Sequence, residues 1–356
     1  MSHTWINYAL NLARMAVAAT PLRPLVVAYC LTTYCNLNCV YCEDFGARRN
    51  ALQPPPLPLD DAKRLLAIIR RATSSLILTG GEPLLYPDLA ALLAYARHDL
   101  RFRHVTLLTN AALLHESLNV LPLLDRLMVS VDAADPTLWE QTIGAPSGAA
   151  QIIRDNVIAA ARRQKADGFR LVINCVVTPE TLAQVPAVLD WCAGHGMLFS
   201  FSPQSANNWP RYALLVSQEY RDLVMAMIAR KRHGAPILGS MAYLQMVWGF
   251  DPYPCYPLLA PRVMPDGGLA YPCRPIERAG DAHGGHDVNL LEVGDWRKAV
   301  QHAMEVYGAP PSTCGSCYQQ CYVEPSLMQA RPWALLSELL LYKASRQGGI
   351  ATYAPG

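Results

Sequence analysis

The amino-acid sequence predicts an α/β fold built on a parallel sheet, either doubly wound or closed into a barrel, with a small Cys-rich region after it. From residue 25 to about residue 230, short apolar runs alternate with longer amphipathic runs, as in successive β–α units. The runs LVINCVV and RLMVSV are continuously apolar, which is typical of strands buried on both faces. After residue 232 the sequence becomes rich in Pro, Gly and Cys.

Six strands and six helices follow from this pattern. The strands are predicted at 25–31, 75–79, 105–108, 126–131, 171–177 and 198–202. The helices are predicted at 59–71, 87–97, 113–124, 149–165, 179–194 and 217–231. Asp60 and Asp61 are expected to open the first helix, and Thr178 is expected to cap the fifth, with Pro179 in its first position.

Four regions are expected along the chain: an N-terminal apolar helix at 1–24, the α/β core at 25–232, the Cys-rich region at 233–330, and a C-terminal helix and tail at 331–356. The Cys-rich region has little apolar periodicity, so it needs a staple such as a metal or a cluster. It contains one hairpin signal, VMPDGGLAYPC. The last helix is predicted at 333–346.

Composition excludes some classes of function. The net charge is +2 among 356 residues, which gives no strong electrostatic attraction for nucleic acid or an anionic membrane. The apolar run from Trp5 to Val17 has no preceding Lys or Arg, unlike a secretory signal. Arg14 and Pro21 interrupt the longer stretch of about 20 apolar residues that a membrane span would need. A helix packed on the protein body is expected there, with a helix lying on a membrane surface as the alternative. The predicted location is cytoplasmic, with peripheral attachment to the inner membrane surface as the alternative.

Three cysteines, Cys35, Cys39 and Cys42, lie within eight residues after the first predicted strand. In barrel enzymes the chemistry lies at that end of the strands. Three thiolates on one loop can hold three irons of a 4Fe–4S cube, which leaves the fourth iron open to an outside molecule. A zinc site completed by Asp44 or a histidine is the alternative.

The spacing Cys-x3-Cys-x-Tyr-Cys, with Tyr41 as the aromatic residue, resembles the signature of the radical S-adenosylmethionine (SAM) superfamily. The turn Gly80-Gly81-Glu82-Pro83 after the second predicted strand resembles that family's GGEP-type turn. The resemblance implies a partial (β/α)6 TIM-type barrel, a 4Fe–4S cluster on the three cysteines, and contacts from Gly80, Gly81 and Glu82 to the amino group of SAM. A plain strand-to-loop turn is the alternative for this glycine pair.

Further candidates for SAM contact follow in family order. Thr109-Asn110-Ala111 resembles the family's Thr-Asn-Gly turn, although an alanine stands where glycine is usual. Ser130 and Asp132 end the fourth predicted strand, and Asn174 lies on the fifth. Ordinary caps and turns favour the same residue types and remain the alternative for each. No catalytic side chain is singled out.

A second group of cysteines lies at Cys255, Cys273, Cys314, Cys317 and Cys321. Its first half resembles the opening of SPASM and Twitch auxiliary-cluster domains, Cys-x(9–15)-Gly-x4-Cys. Five cysteines cannot fully ligate two cubes, so one auxiliary 4Fe–4S cluster is expected on Cys255, Cys273, Cys314 and Cys317, with Cys321 as an alternative ligand. Structural zinc and disulfides are the rival interpretations.

The resemblance implies reductive cleavage of SAM to a 5′-deoxyadenosyl radical that abstracts hydrogen from an unactivated C–H. Oxidation or bond formation on a natural-product, sugar-like or peptide substrate is expected, with an electron donor of flavodoxin or ferredoxin type. Modification of a membrane lipid, by hydrogen abstraction or adenosyl addition, is the alternative within the same chemistry. A non-catalytic iron–sulfur or zinc protein is the alternative of another class.

Overall fold

A computed structural model describes residues 3–15, 23–52, 55–206, 209–279, 284–311, 313–314 and 317–332, without side chains at 3–5, 49, 51–52 and 313–314. The helix predicted at 333–346 lies outside these residues. The strands are β1 Val27–Thr32, β2 Ser75–Gly80, β3 His104–Thr109, β4 Arg126–Ser130, β5 Arg170–Val177, β6 Leu198–Pro203, β7 Ser205–Ala206, β8 Trp209–Pro210, β9 Tyr253–Pro254, β10 Arg262–Val263, β11 Leu269–Ala270 and β12 Thr313–Cys314. The helices are α1 His3–Met15, α2 Leu59–Ala72, α3 Leu89–Ala94, α4 Pro136–Ile143, α5 Ala149–Asp167, α6 Val185–Gly194, α7 Tyr212–Leu215, α8 Gln218–Arg232, α9 Met241–Gly249, α10 Arg274–Ala279, α11 Leu290–Val293, α12 Trp296–Tyr307 and α13 Gln320–Ala330.

An eight-stranded sheet in the order β11-β10-β1-β2-β3-β4-β5-β6 forms the centre of the molecule. Strands β1 to β6 pair in parallel, and helices cross between them, which confirms the predicted α/β fold with a partial TIM-type barrel. The strands are mainly apolar. The carboxyl ends of β1 to β6 therefore meet at one edge, where barrel enzymes carry their chemistry.

The hairpin predicted at VMPDGGLAYPC is present as β10 and β11, which pair antiparallel. Gly267 supplies the turn, with a φ of +91°. Strand β10 also pairs in parallel with β1, with Ala28 opposite Arg262. The Cys-rich region thus extends the same sheet that carries the first cysteines.

Two helix predictions were wrong. Residues 113–124 form two short 3₁₀ segments, Leu114–Glu116 and Leu118–Leu123, and Pro122 within the second has no backbone N–H to continue an α-helix. The fifth helix begins at Val185 rather than at Pro179. Thr178 does not cap it but exchanges hydrogen bonds with Thr181 in the turn before it.

Two helix starts also differ from the prediction. Asp60 and Asp61 lie inside the first turn of α2, where they favour the helix dipole but do not cap it; Pro58 precedes the helix. Helix α4 has no counterpart in the prediction. Asp135 caps it by accepting a hydrogen bond from the Leu138 N–H at 2.7 Å.

Helix α1 is tied to the protein body by buried polar side chains. Asn7 Nδ2 donates to the carbonyls of Pro24 and Ala72, and Tyr8 OH donates to the carbonyl of Met328. Ile6 and Leu10 lie on its exposed side. Among the described helices, none is both long and apolar enough to span a membrane.

Candidate cluster and cofactor site

The three cysteines of the first group lie together in the loop that follows β1. Cys35 is buried, Cys39 and Cys42 are partly buried, and the Cys42 N–H donates to the Cys39 carbonyl at 3.1 Å. All three line a cavity of about 160 Å³ at the carboxyl ends of β2, β3 and β4. The structure therefore gathers these three predicted ligands around one space.

Helix α4 accepts two backbone hydrogen bonds from the middle of this loop. The Asn38 N–H donates to the Ile143 carbonyl at 3.0 Å, and the Val40 N–H donates to the Thr142 carbonyl at 2.9 Å. Gly144 ends α4 with a φ of +61°, and a Cβ at this position would lie 2.4 Å from the Asn38 carbonyl oxygen. The unpredicted helix thus supplies acceptors for the cysteine loop.

Side-chain and backbone hydrogen bonds also fix the two ends of the loop. Asn50 Oδ1 accepts from the Cys35 N–H at 3.0 Å, and Asn50 Nδ2 donates to the Cys35 carbonyl at 2.8 Å. The Phe45 N–H donates to Cys42 Sγ at 3.3 Å. The backbone around the thiols is therefore ordered by the protein's own contacts.

The Gly80-Gly81 turn lies directly against the segment that leads into Cys35. The Gly81 N–H donates to the Thr32 carbonyl at 2.8 Å, and the Glu82 N–H donates to the Tyr34 carbonyl at 2.7 Å. A Cβ on Gly81 would lie 2.1 Å from the Tyr34 carbonyl oxygen, and one on Gly80 would lie 2.3 Å from that of Thr32. Only glycine permits this approach, and both glycines line the cavity.

The Glu82 side chain, predicted to contact the amino group of SAM, is held by internal hydrogen bonds. It is fully buried, and its carboxylate accepts hydrogen bonds from Leu84 N, Thr109 Oγ1 and Asn110 N at 2.6–2.9 Å. Burial raises the pKa of this carboxyl. Because its oxygens are taken by internal donors and it does not line the cavity, Glu82 ties the end of β2 to the end of β3.

Asp132 is the second buried acid beside the loop. Its Oδ2 accepts from Tyr41 OH at 2.6 Å, and its Oδ1 accepts from the Val176 N–H at 2.8 Å. Burial raises the pKa of Asp132 to about 6. Asp132 is fully buried, and its side chain connects the cysteine loop to β5.

Two of the other predicted SAM contacts line the smaller cavity, namely Asn110 and Ser130. The Asn110 amide also donates to Asn36 Oδ1 at 2.7 Å, so it braces the cysteine loop as well. Asn174 lies apart from them, in the wall of a second cavity. Thr79 also lines the smaller cavity but was not among the predicted contacts. Its place as the polar residue that ends the apolar strand SLILT could have identified it.

The second cavity, of about 320 Å³, occupies the concave side of the barrel. Side chains that alternate along β2 to β5 line it, as expected for one face of each strand. These residues are Ile77, Thr79, Thr106, Leu108, Arg126, Met128, Asn174 and Val176. Tyr41, Cys42, Phe45, Thr79 and Leu108 line both cavities, so the two spaces share a wall.

Cys35 and Cys39 lie in surroundings that disfavour free thiolates. Burial raises the pKa of Cys35 to about 11, and the nearby Glu82 and Cys42 add to this rise. Burial raises the pKa of Cys39 further, with contributions from Asp132, Cys42 and Cys35. Bound cations would relieve this repulsion by stabilising the deprotonated sulfurs.

The second cysteine group converges in part. Cys273 and Cys317 belong to one buried apolar cluster with Ala260 and Tyr322, and the partly buried Cys321 packs against it. Cys321 also lines the larger cavity. The sequence treated Cys321 as an alternative ligand, whereas the structure places it with two of the predicted ones.

The remaining two cysteines of this group lie on the paired strands nearby. Cys255 is buried directly after β9, and Cys314 lies opposite Tyr253 in the β9–β12 pair, with its side chain outside the described residues. Among the side chains that the structure describes, no three Cys, His, Asp or Glu residues converge as a single metal ion would require.

Comparison with protein families places the first cysteines inside a segment that matches a known family model. Residues 29–192 match the model of the radical SAM superfamily. This segment is a radical SAM domain.

Curated relatives of the domain catalyse more than one reaction. The chain is 32% identical over 222 residues to a GTP 3′,8-cyclase of Xanthomonas campestris pv. campestris, covering 58% of this chain and 62% of the cyclase. It is 32% identical over 167 residues to an AdoMet-dependent heme synthase of Methanosarcina barkeri, covering 46% of this chain and 45% of the synthase. The chain thus spans less than two thirds of the length of either relative.

Solved structures share the fold over more of the chain. Streptococcus suis SuiB bound to the precursor peptide SuiA superposes with a TM-score of 0.59 at 20% identity, over 80% of this chain and 68% of SuiB. The enzyme anSMEcpe with bound AdoMet gives a TM-score of 0.56 at 15% identity, over 88% of this chain and 98% of that one. At these identities the likeness concerns the fold.

Radical SAM enzymes use a 4Fe–4S cluster and SAM, and the residues present fit both groups. Three thiols on one ordered loop line a cavity, and no fourth protein ligand is supplied among the residues that line it. Gly80 and Gly81 expose their backbone to that cavity. A side chain at either position would collide with the carbonyl oxygens of Thr32 or Tyr34. Thiolate sulfur is the ligand that iron–sulfur clusters require.

Replacement of Gly81 by alanine should destabilise the radical SAM domain. The added Cβ would displace the Tyr34 carbonyl, and we expect a loss of about 2 kcal/mol or more in the free energy of unfolding. Gly194→Ala is the matched control, since nothing lies within 4 Å of a Cβ added there. Thermal unfolding of both variants tests this expectation, and equal melting temperatures would contradict it.

Replacement of Tyr41 by phenylalanine should loosen the cysteine loop while keeping the ring. It leaves Asp132 Oδ2 buried without its donor, which costs about 1–3 kcal/mol. We expect faster loss of iron to a chelator from Tyr41→Phe than from the wild type. The control is Tyr212→Phe, because Tyr212 is 75% exposed. Identical chelation rates in all three proteins would show that the Asp132 contact does not hold the loop.

Proposed function

We propose that the protein reductively cleaves SAM and uses the resulting radical to abstract hydrogen from a C–H bond of a substrate held in the larger cavity. The observation that carries this proposal is the wall shared by the two cavities, formed at Tyr41, Cys42, Phe45, Thr79 and Leu108. A radical generated in the smaller cavity would meet a substrate in the larger one without crossing bulk water.

The proposed roles in the smaller cavity follow from what lines it. Cys35, Cys39 and Cys42 hold the 4Fe–4S cluster, and Gly80 and Gly81 let the backbone approach SAM. Asn110 and Ser130 are placed to contact SAM by hydrogen bonds, whereas Glu82 and Asp132 brace the site from behind. When bound, the reduced cluster supplies the electron that cleaves SAM, while the surrounding protein excludes water and other hydrogen donors.

The walls of the larger cavity favour a polar substrate of low net charge. Hydroxyl and amide side chains line it at Asn174, Ser202, Gln204, Gln319 and Gln320. Three arginines and two acids also line it, at Arg126, Arg262, Arg278, Glu43 and Asp44. Because these charges nearly balance, we propose a sugar-like alcohol or a peptide residue as the substrate.

Two relatives have names or titles that include a sugar-bearing nucleotide and a peptide, although the nucleotide GTP is highly charged. The name GTP 3′,8-cyclase describes bond formation on a nucleotide, which carries a sugar. The SuiB structure contains a precursor peptide. Oxidation or bond formation is accordingly the proposed outcome, and a flavodoxin- or ferredoxin-type protein is the proposed electron donor.

For the auxiliary cluster we propose Cys273, Cys317 and Cys321 as ligands, with Cys255 or Cys314 as the fourth. The first three are supported by their proximity, since Cys273 and Cys317 share one buried cluster and Cys321 packs against it. Since Cys321 also lines the larger cavity, an iron held there would adjoin the proposed substrate space.

Replacement of Cys39 by alanine should abolish SAM cleavage. After anaerobic reconstitution with iron and sulfide, the wild type should release 5′-deoxyadenosine in the presence of dithionite and SAM, and Cys39→Ala should release none. The control is Cys192→Ala, which removes a buried cysteine of α6 that lines neither cavity. Absence of deoxyadenosine from the wild type would favour a non-catalytic metal protein, and cleavage by Cys39→Ala would refute the ligand assignment.

Replacement of Cys321 by alanine should remove the auxiliary cluster and leave the first cluster in place. We expect the iron content to fall by about four atoms per chain, the content of one cube. SAM cleavage without substrate should persist, because the first cysteine loop is untouched. Iron analysis and deoxyadenosine release test this, with Cys192→Ala again as the control. Full iron content in Cys321→Ala would exclude Cys321 as an essential ligand.

A further inference from the structure

An ion-pair network links the segment after the first cysteines to the auxiliary region. Asp44 lies within 3.5 Å of Arg262 Nη1, 3.3 Å of Arg274 Nη2 and 2.9 Å of Arg278 Nη1. Arg278 Nη2 also donates to Glu43. Two acids from the cysteine loop thus contact three arginines that lie more than 200 residues away in sequence.

The network extends within the auxiliary region and is balanced in charge. Glu277 accepts from Arg274 and lies 2.6 Å from His286 Nδ1. The side chains of Asp44 and Arg274 are both 14% exposed. Three acids face three arginines, counting Glu43, Asp44 and Glu277 against Arg262, Arg274 and Arg278, so the network has no excess charge with which to bind an anion.

Its members adjoin both cysteine groups. Asp44 is two residues beyond Cys42, and Arg274 directly follows Cys273. Asp44 and Arg262 line the larger cavity together with Cys42 and Cys321. The network therefore lies between the two proposed cluster sites and forms part of the chamber between them.

The energetics of buried ion pairs indicate that this network orients the segments it joins rather than adding net stability. Burying charges costs nearly as much as their attraction returns, so a buried network adds little net stability. The network does fix the relative orientation of the segments it joins, because the planar guanidinium fork donates to carboxylates in few orientations. Removing one member is costly, since its partners are left buried and unpaired.

We propose that Asp44, with Arg274 and Arg278, is a positioning network that sets how the auxiliary cysteines sit against the first cysteine loop. As far as the clusters are concerned, this inference rests on the proposed function. None of these residues is a catalytic residue, since each acts through the segments it joins. The network keeps the two cluster sites at one separation and closes one side of the chamber.

A buried donor of Arg274 supports a link to the auxiliary group. Its two Nη atoms bind Asp44 and Glu277, while Nε is buried without a hydrogen-bond partner in the described part of the chain. An unpaired buried donor is costly. On a residue adjacent to Cys273, it is available to a sulfur of the cluster bound there, an interaction that tunes such clusters.

Hydrogen–deuterium exchange of the full, anaerobically reconstituted protein tests the network independently of turnover. In Asp44→Asn, the amides of residues 43–46 and 273–279 should exchange about tenfold faster than in the wild type, while the strands β3 to β5 exchange as before. Asp61→Asn is the matched control, because Asp61 belongs to an exposed pair with Arg64 on α2. Unchanged exchange in both segments of Asp44→Asn would overturn the proposal.

Arg278→Lys keeps the charge but cannot bind Glu43 and Asp44 through one fork, so it decides the question if Asp44→Asn does not fold. It should accelerate exchange in the same two segments to a smaller degree, and wild-type exchange there would overturn the proposal.

The magnetic coupling between the two reduced clusters, measured by electron paramagnetic resonance, should change in Asp44→Asn at unchanged iron content. If the wild type released no deoxyadenosine, the proposed function would be refuted. The exchange experiment would still test the network, because it does not depend on turnover.

Discussion

The turn after β2 and the segment that leads into the first cysteines touch backbone to backbone, and this contact positions the rest of the site. Gly80 and Gly81 make it possible, because any Cβ would overlap the carbonyls of Thr32 and Tyr34. Two hydrogen bonds then join the strand ends. Since backbone groups do not change with rotamer, the distance between the cysteine loop and the turn is fixed by the sheet itself.

Two buried acids, Glu82 and Asp132, and the partly buried Asp44 stabilise the site in two different ways. Glu82 is surrounded by three uncharged donors, and Asp132 by two, so burial still raises the pKa of both. For Asp44, burial also acts to raise the pKa, but Arg274, Arg262 and Arg278 lower it below its ordinary value. The first two acids join neighbouring strands, where hydrogen bonds suffice, whereas Asp44 joins distant parts of the chain through full charges.

The six main strands could be predicted within one or two residues because each is a short, mainly apolar run between polar turns. The crossover helices were harder. Residues 113–124 have a helical apolar spacing, yet Pro122 and the short span between β3 and β4 favour 3₁₀ turns. Helix α4 is only eight residues long, too short for a clear period. The cysteines were found by spacing, but the internal use of Glu82 and Asp132 depends on donors that sequence alone does not place beside them.

The auxiliary region is a continuation of the barrel sheet, which explains why it matters to the chamber. In-register partners on adjacent strands point to the same face, and Ala28 is paired with Arg262. Both residues line the larger cavity, so β10 extends the concave wall that β1 begins. A metal group that orders the auxiliary cysteines would therefore stabilise one wall of the reaction chamber as well. On this view the auxiliary cysteines shape the substrate space even where they take no part in electron transfer.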